Sequence, residues 1–402
     1  MILRPLYISK VRPFINETEL VKILTGIRRS GKSVMLQLIQ RELLQQGVMA
    51  DHFITINFED FSYNHLRDPQ AVHDHIKAEI DKKSGRHYLF LDEIQEVENW
   101  ESVINSLRVH SDVDIYVTGS NAKLLVSEFS TYLSGRFMTL QIFPLSFKEM
   151  ISAKEMPIHP KQAFLEYVEN GGMPFIIHRE FDKESRKQYL EDLFTAVIIK
   201  DIVKRHKIRD VDMLERLIKY VVAHMGKTFS ASSIAKFFKS EKRTISAETV
   251  LNYLKFCQDA YLLYPIARFD VPSKRMLQVD DKFYIVDHGL REAIYGNNLR
   301  DIELTLENIV CIECLRRGYH LSIGRVNEHE IDFICEKGKD RIYIQVSYLM
   351  ENESTRVREF SVFSKIQDNF PKYVVTMDEI DFSQNGIKHV KVWDFLLNDA
   401  WI

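Results

Sequence analysis

The segment Ile23-Leu24-Thr25-Gly26-Ile27-Arg28-Arg29-Ser30-Gly31-Lys32-Ser33 carries the spacing G-x-x-x-x-G-K-S. That spacing is a phosphate-binding loop when a strand leads into it and a helix leaves it. The apolar run Leu20 to Leu24 supplies the strand. Val34, Leu36, Leu38, Ile39, Leu43 and Leu44, mostly at three- and four-residue steps, supply the helix. Gly26 and Gly31 allow backbone angles and a close approach that a side chain would block. The N–H groups of the loop and the helix N-terminus then face phosphate oxygens with positive partial charge. Lys32 adds a full charge at the β- and γ-phosphates, and the Ser33 hydroxyl suits Mg²⁺. The expected ligands are ATP and Mg²⁺.

Around this loop the chain has 402 residues, 45% of them hydrophobic and 28% charged, enough for several packed cores. Its formal net charge of −3 excludes a global basic field, so a nucleic-acid partner would need a local patch. Met1 to Phe14 has no apolar core of a signal peptide, and no run is long enough to span a membrane. Four cysteines in a chain this long do not form a disulfide framework. A cytoplasmic location is expected.

Moving C-terminally, Phe53 to Phe58 reads as a buried strand. His87-Tyr88-Leu89-Phe90-Leu91-Asp92-Glu93 reads as a strand ending in two acids, where Asp92 holds Mg²⁺ and Glu93 polarises the attacking water. A helix follows near Trp100 to Val109. Val113 to Asn121 is a further strand with a polar end. Ligands of open α/β sheets sit beyond the carboxyl ends of strands, so Ser120 or Asn121 could reach the γ-phosphate. Asn121 could equally cap a helix over Lys123 to Leu133. Ser134-Gly135-Arg136 then precedes a strand over Met138 to Phe143. Alternating strands and helices predict a mostly parallel sheet covered on both faces.

Gly-Ile-Arg-Arg-Ser-Gly-Lys-Ser, Leu-Asp-Glu-Ile, Thr-Gly-Ser-Asn, and Ser-Gly-Arg followed by Phe143-Pro-Leu-Ser-Phe147 together resemble the prokaryotic AAA+ ATPases often called archaeal-type ATPases. In these a C-terminal domain of unknown function follows the ATPase core. The resemblance implies that Gly26 to Ser33 cradle ATP and that Asn57 restrains the catalytic Glu93. It makes Asn121 the γ-phosphate sensor and Arg136 an arginine finger acting on a neighbouring subunit. A ring or other homo-oligomer follows. For Arg136 a surface arginine at a helix C-terminus stands as the rival role.

Farther along, Asn170-Gly171-Gly172-Met173-Pro174 ends an apolar helical stripe. It resembles the segment that touches adenine in related ATPases, with Pro174 in contact, and it reads equally as a helix C-cap. Arg186, Lys187, Lys200, Lys204, Arg205, Lys207 and Arg209 are a basic run, either a solvated helix face or a phosphate-facing patch. Ser232 to Lys239 and Ser246 to Asp259, joined by a basic turn, resemble a helix-turn-helix, with a core stripe Val250, Leu254, Cys257 and Tyr261. Strands Tyr261 to Phe269 and Lys282 to Val286 would form a wing. Glu248 and Asp259 on the exposed face weaken direct reading of a DNA groove. The order helix from Leu304, strand near Tyr319, strand Glu330 to Cys335 and strand Arg341 to Ser347 resembles a PD-(D/E)xK nuclease core. Glu307 and Asp332 match its acids, whereas Gln345 and Ser347 stand where a second acid and a lysine belong. The Cys311-x-x-Cys314 pair sits within a helix and is read as core packing.

The expected architecture is therefore a multidomain α/β protein. It has a P-loop AAA+ parallel-sheet core over residues 1–145, a helical lid over 146–215, a winged-helix-like module over 216–290 and an inactive restriction-endonuclease-like α/β domain over 291–402. The expected function is a Mg²⁺-dependent ATPase that couples hydrolysis to oligomer rearrangement, with DNA as candidate partner and no membrane. A nucleotide-gated signalling or scaffold switch is the first alternative, and an ATP-dependent nuclease the second.

Overall fold

A computed structural model describes residues 1–120, 135–154, 156–177, 179, 181–271, 273, 275–276, 281–296, 301–326 and 329–401. The chain divides into two compact units, Met1–Phe143 with Asp259–Tyr261, and Pro144–Gln258 with Leu262–Ile402.

The first unit is built on five parallel strands: β1 (Val21–Thr25), β2 (Phe53–Asn57), β3 (His87–Asp92), β4 (Val113–Gly119) and β5 (Phe137–Gln141). Their order is β2-β3-β4-β1-β5, so β4 separates the loop-bearing strand from the strand that ends in Asp92. Every residue of β1, β3 and β4 is buried, as expected of strands covered on both faces. The period of two distributes their side chains between two cores. Ile23, Leu89, Leu91, Ile115 and Val117 face a core shared with α3 (Pro69–Ile80) and α4 (Trp100–His110). Leu24, Phe90 and Tyr116 face a core with α1 (Pro5–Val11) and α2 (Lys32–Gln45). Within this apolar sheet lies one ion pair, Lys22 with Asp114, both side chains wholly buried. Asp114 is also bonded by the Tyr116 hydroxyl (2.8 Å) and the Asn16 N–H (2.9 Å). The helix expected over Lys123 to Leu133 lies outside the described residues.

In the second unit α5 (Phe147–Ser152), α6 (Pro160–Asn170), α7 (Pro174–Ile177) and α8 (Lys183–Ala196) come first. A π-helical segment, Val197–Val203, continues α8. Then follow α9 (Val211–Ala223), α10 (Ala231–Ser240) and α11 (Ala247–Asp259). Ser230 and Ser233 cap α10 reciprocally. Strands β6 (Leu263–Ile266) and β9 (Lys282–Ile285) pair antiparallel. Val250, Leu254 and Cys257 form the buried stripe of α11. Tyr261 does not extend it: the helix ends at Asp259, and Tyr261 adopts a left-handed backbone at φ 57°.

The single strand expected from Tyr261 to Phe269 is broken. Its second half, β7 (Arg268–Asp270), with β8 (Arg275–Met276), joins the larger C-terminal sheet. That sheet also contains β10 (His320–Val326), β11 (His329–Lys337), β12 (Asp340–Val346), β13 (Lys372–Thr376) and β14 (Ile387–Lys391), in the order β14-β13-β12-β11-β10-β7-β8. Also in this unit are α12 (His288–Tyr295), the mostly buried α13 (Ile302–Arg316) and α14 (Glu353–Ser361). Cys311, Cys314 and Cys335 are buried free thiols. No helix among the described residues is long and apolar enough to cross a membrane.

Candidate nucleotide-binding site

The loop leaves β1 through Gly26, whose φ is 139° and whose hypothetical Cβ would stand 2.2 Å from the Ile142 carbonyl oxygen. Only glycine fits there. Arg29 (φ 67°) and Gly31 (φ 99°) complete the turn, and Gly31 delivers the chain into α2 at Lys32. Arg4 braces the loop from beneath. The residue is 2% exposed, and its guanidinium donates to the Ser30 carbonyl (3.2 Å) and the Phe143 carbonyl (2.8 Å) and lies over the Tyr7 ring. Nothing in the sequence pattern marks Arg4, because its role depends on contacts made across the fold.

Lys32 is buried. Its ammonium donates to the carbonyls of Gly26 (3.2 Å) and Ile27 (3.3 Å) and lies 3.6 Å from Glu93 Oε1. Asp92, at the end of β3, is also buried, and burial pushes its carboxyl above the usual range despite hydrogen bonds from Ser33 and Thr118. Thr118 on β4 ties the acid pair together, donating to Asp92 Oδ1 and accepting from the Glu93 N–H at 2.8 Å. Glu93 is a non-glycine residue held at φ 53°, a conformation that costs about 1–3 kcal/mol and is found at functional sites. Burial works to raise its carboxyl. The Lys32 charge, the Gln95 hydrogen bond and Arg28 outweigh burial and hold it below the usual range.

This arrangement suits the implied ligands. The buried Lys32 ammonium is held within the loop by the Gly26 and Ile27 carbonyls, a full positive charge for phosphate oxygens. The exposed Ser33 hydroxyl beside the Asp92 carboxylate is an oxygen donor set for a hard cation.

The other expected residues are placed as follows. Arg28 pairs with Glu59 at 3.0 Å. Arg136 is exposed, and its carbonyl accepts from the Val21 N–H at 3.1 Å. It thus stands at the amino end of β1, about 16 Å from the loop at one strand length. Asn121 lies outside the described residues. Pro174 opens α7 in the second unit. The preceding Gly171 caps α6, and Gly171 and Gly172 pack against Asp287 and the start of α12, where added Cβ atoms would collide. Asn57 does not hold Glu93: its side chain accepts from the Glu59 N–H at 2.9 Å within its own turn. The residue that donates to Glu93 is Gln95. Sequence reasoning missed both Gln95 and Thr118. Their signal was position alone, two residues after Glu93 and at the polar end of β4.

In the second unit the two matched acids do come together. Lys282 of β9 reaches Glu307 (3.2 Å) and Glu330 (2.7 Å), and the Tyr284 hydroxyl donates to Glu307. Asp332 accepts from the Val346 N–H, and its carboxyl is driven far up by burial and by Glu307, with Lys282 opposing. Gln345 bridges the Asp332 N–H and the Glu359 carboxylate, while Ser347 donates to Glu303. The ammonium nearest these carboxylates therefore belongs to Lys282. Lys337 instead donates to the Arg317 carbonyl.

A parallel sheet with a glycine phosphate cradle after one strand and an Asp-Glu pair two strands away defines a P-loop domain of the ATPase class. The AAA domain family profile matches residues 18–151, and a profile for a domain of unknown function matches 161–301. An uncharacterised protein of Haemophilus influenzae is 34% identical over 401 residues, 99% of each chain. One from Methanocaldococcus jannaschii is 29% identical over 390 residues, 93% of this chain and 85% of that one. This chain belongs to the family of the Haemophilus protein, and its N-terminal domain is an AAA domain of the nucleotide-binding P-loop type. Among solved structures, the Aeropyrum pernix Orc1 protein in complex with DNA aligns with a TM-score of 0.35 and 11% identity, covering 73% of this chain and 92% of that one. Cdc6p from Pyrobaculum aerophilum aligns with a TM-score of 0.30 and 12% identity, covering 76% and 93%.

Proposed function

We propose that this protein binds Mg²⁺-ATP at Gly26–Ser33 and hydrolyses it, coupling hydrolysis to rearrangement of a homo-oligomer that acts on DNA. The observation that carries the reading is the convergence of Lys32, Ser33, Asp92 and Glu93 at the ends of β1 and β3. In this reading the loop N–H groups and Lys32 take the phosphates. Ser33 and Asp92 hold the metal, which when bound supplies Lewis-acid charge neutralisation on the phosphate oxygens. Thr118 keeps Asp92 oriented. Glu93 accepts the proton of the attacking water. Asn121 senses the γ-phosphate. Arg136, a strand length from its own loop, acts on the phosphate of a neighbouring copy.

The DNA arm rests on α9–α11 with the β6–β9 pair, read as a winged helix. Lys236, Lys239, Lys242 and Lys255 are exposed there, whereas Arg243 is drawn to Asp212 at 2.6 Å. The nuclease alternative is weakened by Gln345 and Ser347. A nucleotide-gated switch remains the second reading, favoured because both Glu93 oxygens are engaged by side chains.

The deciding experiment is ATP turnover with and without single-stranded, duplex and branched DNA, alongside native mass measurement in ATP. Lys32→Ala is expected to abolish nucleotide binding, and undiminished affinity would sink the loop assignment. Glu93→Gln is expected to bind ATP normally and lose about 10²- to 10⁴-fold in kcat. DNA-independent, very slow turnover in the native protein would favour the switch.

A further inference from the structure

Both oxygens of the Glu93 carboxylate are occupied. Oε1 faces the Lys32 ammonium at 3.6 Å, and Oε2 accepts from Gln95 Nε2. Gln95 lies in the 3-10 turn Ile94–Glu96, which follows Glu93 directly. The left-handed backbone at Glu93 makes that turn begin at once, bringing the side chains of residues 93 and 95 together. The other end of the Gln95 amide, Oε1, is buried and meets no donor among the described residues. It lies 3.0 Å from where a Cβ on Gly119 would stand.

Gly119 is the last residue of β4, and its φ lies outside the left-handed region. Its backbone therefore does not require glycine, but an added Cβ would crowd the Gln95 amide oxygen, which would have to give by a few tenths of an ångström. The neighbouring Thr118 already bonds Asp92 and the Glu93 N–H. The end of β4 thus meets the acid pair twice, once through Thr118 and once through Gly119 and Gln95. Ser120 and Asn121 follow immediately in sequence.

We propose that Gln95 is a positioning residue that holds Glu93 away from the attacking water, and that Gly119 is the point at which the end of β4 acts on it. The proposal rests on Glu93 being the base of the ATPase described above. The two holds on Glu93 differ in kind. Phosphate competes for Lys32, because a cation prefers the more highly charged partner. It does not compete in the same way for a neutral amide donor already satisfied by a carboxylate. Nucleotide binding alone therefore leaves Glu93 restrained by Gln95. Release requires that the Gln95 amide move, and the end of β4 at Gly119 lies beside it. A displacement of the strand end next to the γ-phosphate reaches Glu93 through this contact.

Two variants test it by different routes. Gln95→Ala removes the donor, and Gly119→Ala adds a methyl group that displaces the amide while keeping Gln95 itself. Nucleotide-free crystal structures of both are compared with the native protein. In Gly119→Ala the Gln95 amide is expected to shift by a few tenths of an ångström and its bond to Glu93 to lengthen, and in Gln95→Ala Glu93 is expected to keep Lys32 alone. Single-turnover hydrolysis at saturating Mg²⁺-ATP is expected to rise about tenfold in Gln95→Ala, the scale of one hydrogen bond to a charged group, and by less in Gly119→Ala. Affinity for a fluorescent ATP analogue should stay within about twofold, since the loop N–H groups and Lys32 are unchanged in both. Gln95→Met, similar in length and without a donor, repeats the test if alanine impairs folding.

A Gln95 amide that does not move in Gly119→Ala overturns the role of Gly119. A fall in the hydrolysis rate of Gln95→Ala overturns the restraint and assigns Gln95 to the water instead. Glu93→Gln is run in parallel. Native-like turnover in that variant means that the base assignment has failed, and the crystallographic comparison still decides whether Gln95 and Gly119 set the position of Glu93.

Discussion

Lys282 illustrates how much one residue can carry. The residue is 4% exposed, and its pKa is raised: burial works to lower it, but Glu307, Asp332 and Glu330 outweigh that. Lys282→Met would leave these carboxylates facing one another without a cation, which should cost about 3–5 kcal/mol. The pH dependence has a definite sign. Asp332 already titrates above its usual range, so the native state holds its proton where the unfolded chain has released it. Such a group favours folding below the unfolded carboxylate pKa and loses that contribution as pH rises. Without Lys282 the opposition to ionising Asp332 grows. The urea-unfolding difference between native and Lys282→Met protein is therefore expected to be larger at pH 8 than at pH 5. Equal differences at both values would rule out the charge cluster as the cause. Lys337 and Lys339 lie far nearer to Asp332 and Gln345 in sequence than Lys282 does, and only the tertiary structure brings Lys282 to these carboxylates.

At the scale of elements, the β1–β4 pair combines apolar burial with one internal ion pair. Burial lowers the pKa of Lys22, with Asp114 opposing. Lys22→Met alone leaves the Asp114 carboxylate in the sheet without its cation, at a cost of about 3–5 kcal/mol. Lys22→Met with Asp114→Leu removes both charges and should recover at least half of that, by chemical denaturation, because a buried pair is replaceable by packed apolar groups. If the double variant is no better than the single, Asp114 matters chiefly as acceptor for Tyr116 and Asn16. The strands β1, β3 and β4 were legible because apolar runs between turn residues have few other uses. The limits of the β6–β7 stretch were not. Whether Arg268–Asp270 continues one strand or joins another sheet depends on a partner, β10, found far along the chain. Strands β13 and β14 were not anticipated, although Tyr373-Val374-Val375 carries a clear β-prone signal.

For the molecule as a whole, the prediction concerns assembly. Arg136 is exposed and stands at the opposite end of β1 from the loop. If it completes the site of a neighbouring copy, Arg136→Ala should lower kcat by about 10³-fold or more while sparing ATP binding. Mixing it with Lys32→Ala under subunit exchange should restore part of the activity, since one copy supplies the arginine and the other the loop. Absence of rescue would count against a shared site, and a monomer by native mass in ATP would exclude one.

The sequence by itself determined the phosphate loop, the acid pair Asp92 and Glu93, and the parallel α/β character of the first unit. These rest on local rules: glycine at special backbone angles, apolar runs that can only be buried, and charges at strand ends. Tertiary structure alone decided which residues hold the acids. Asn57 was expected to restrain Glu93, yet its side chain closes its own turn and Gln95 makes the contact. Arg4 braces the loop, Thr118 links Asp92 to Glu93, and Lys282 neutralises the carboxylates of the second unit. Hydrogen bonds and ion pairs between distant segments depend on strand order and register. Neither leaves a periodic trace in the residues that make them.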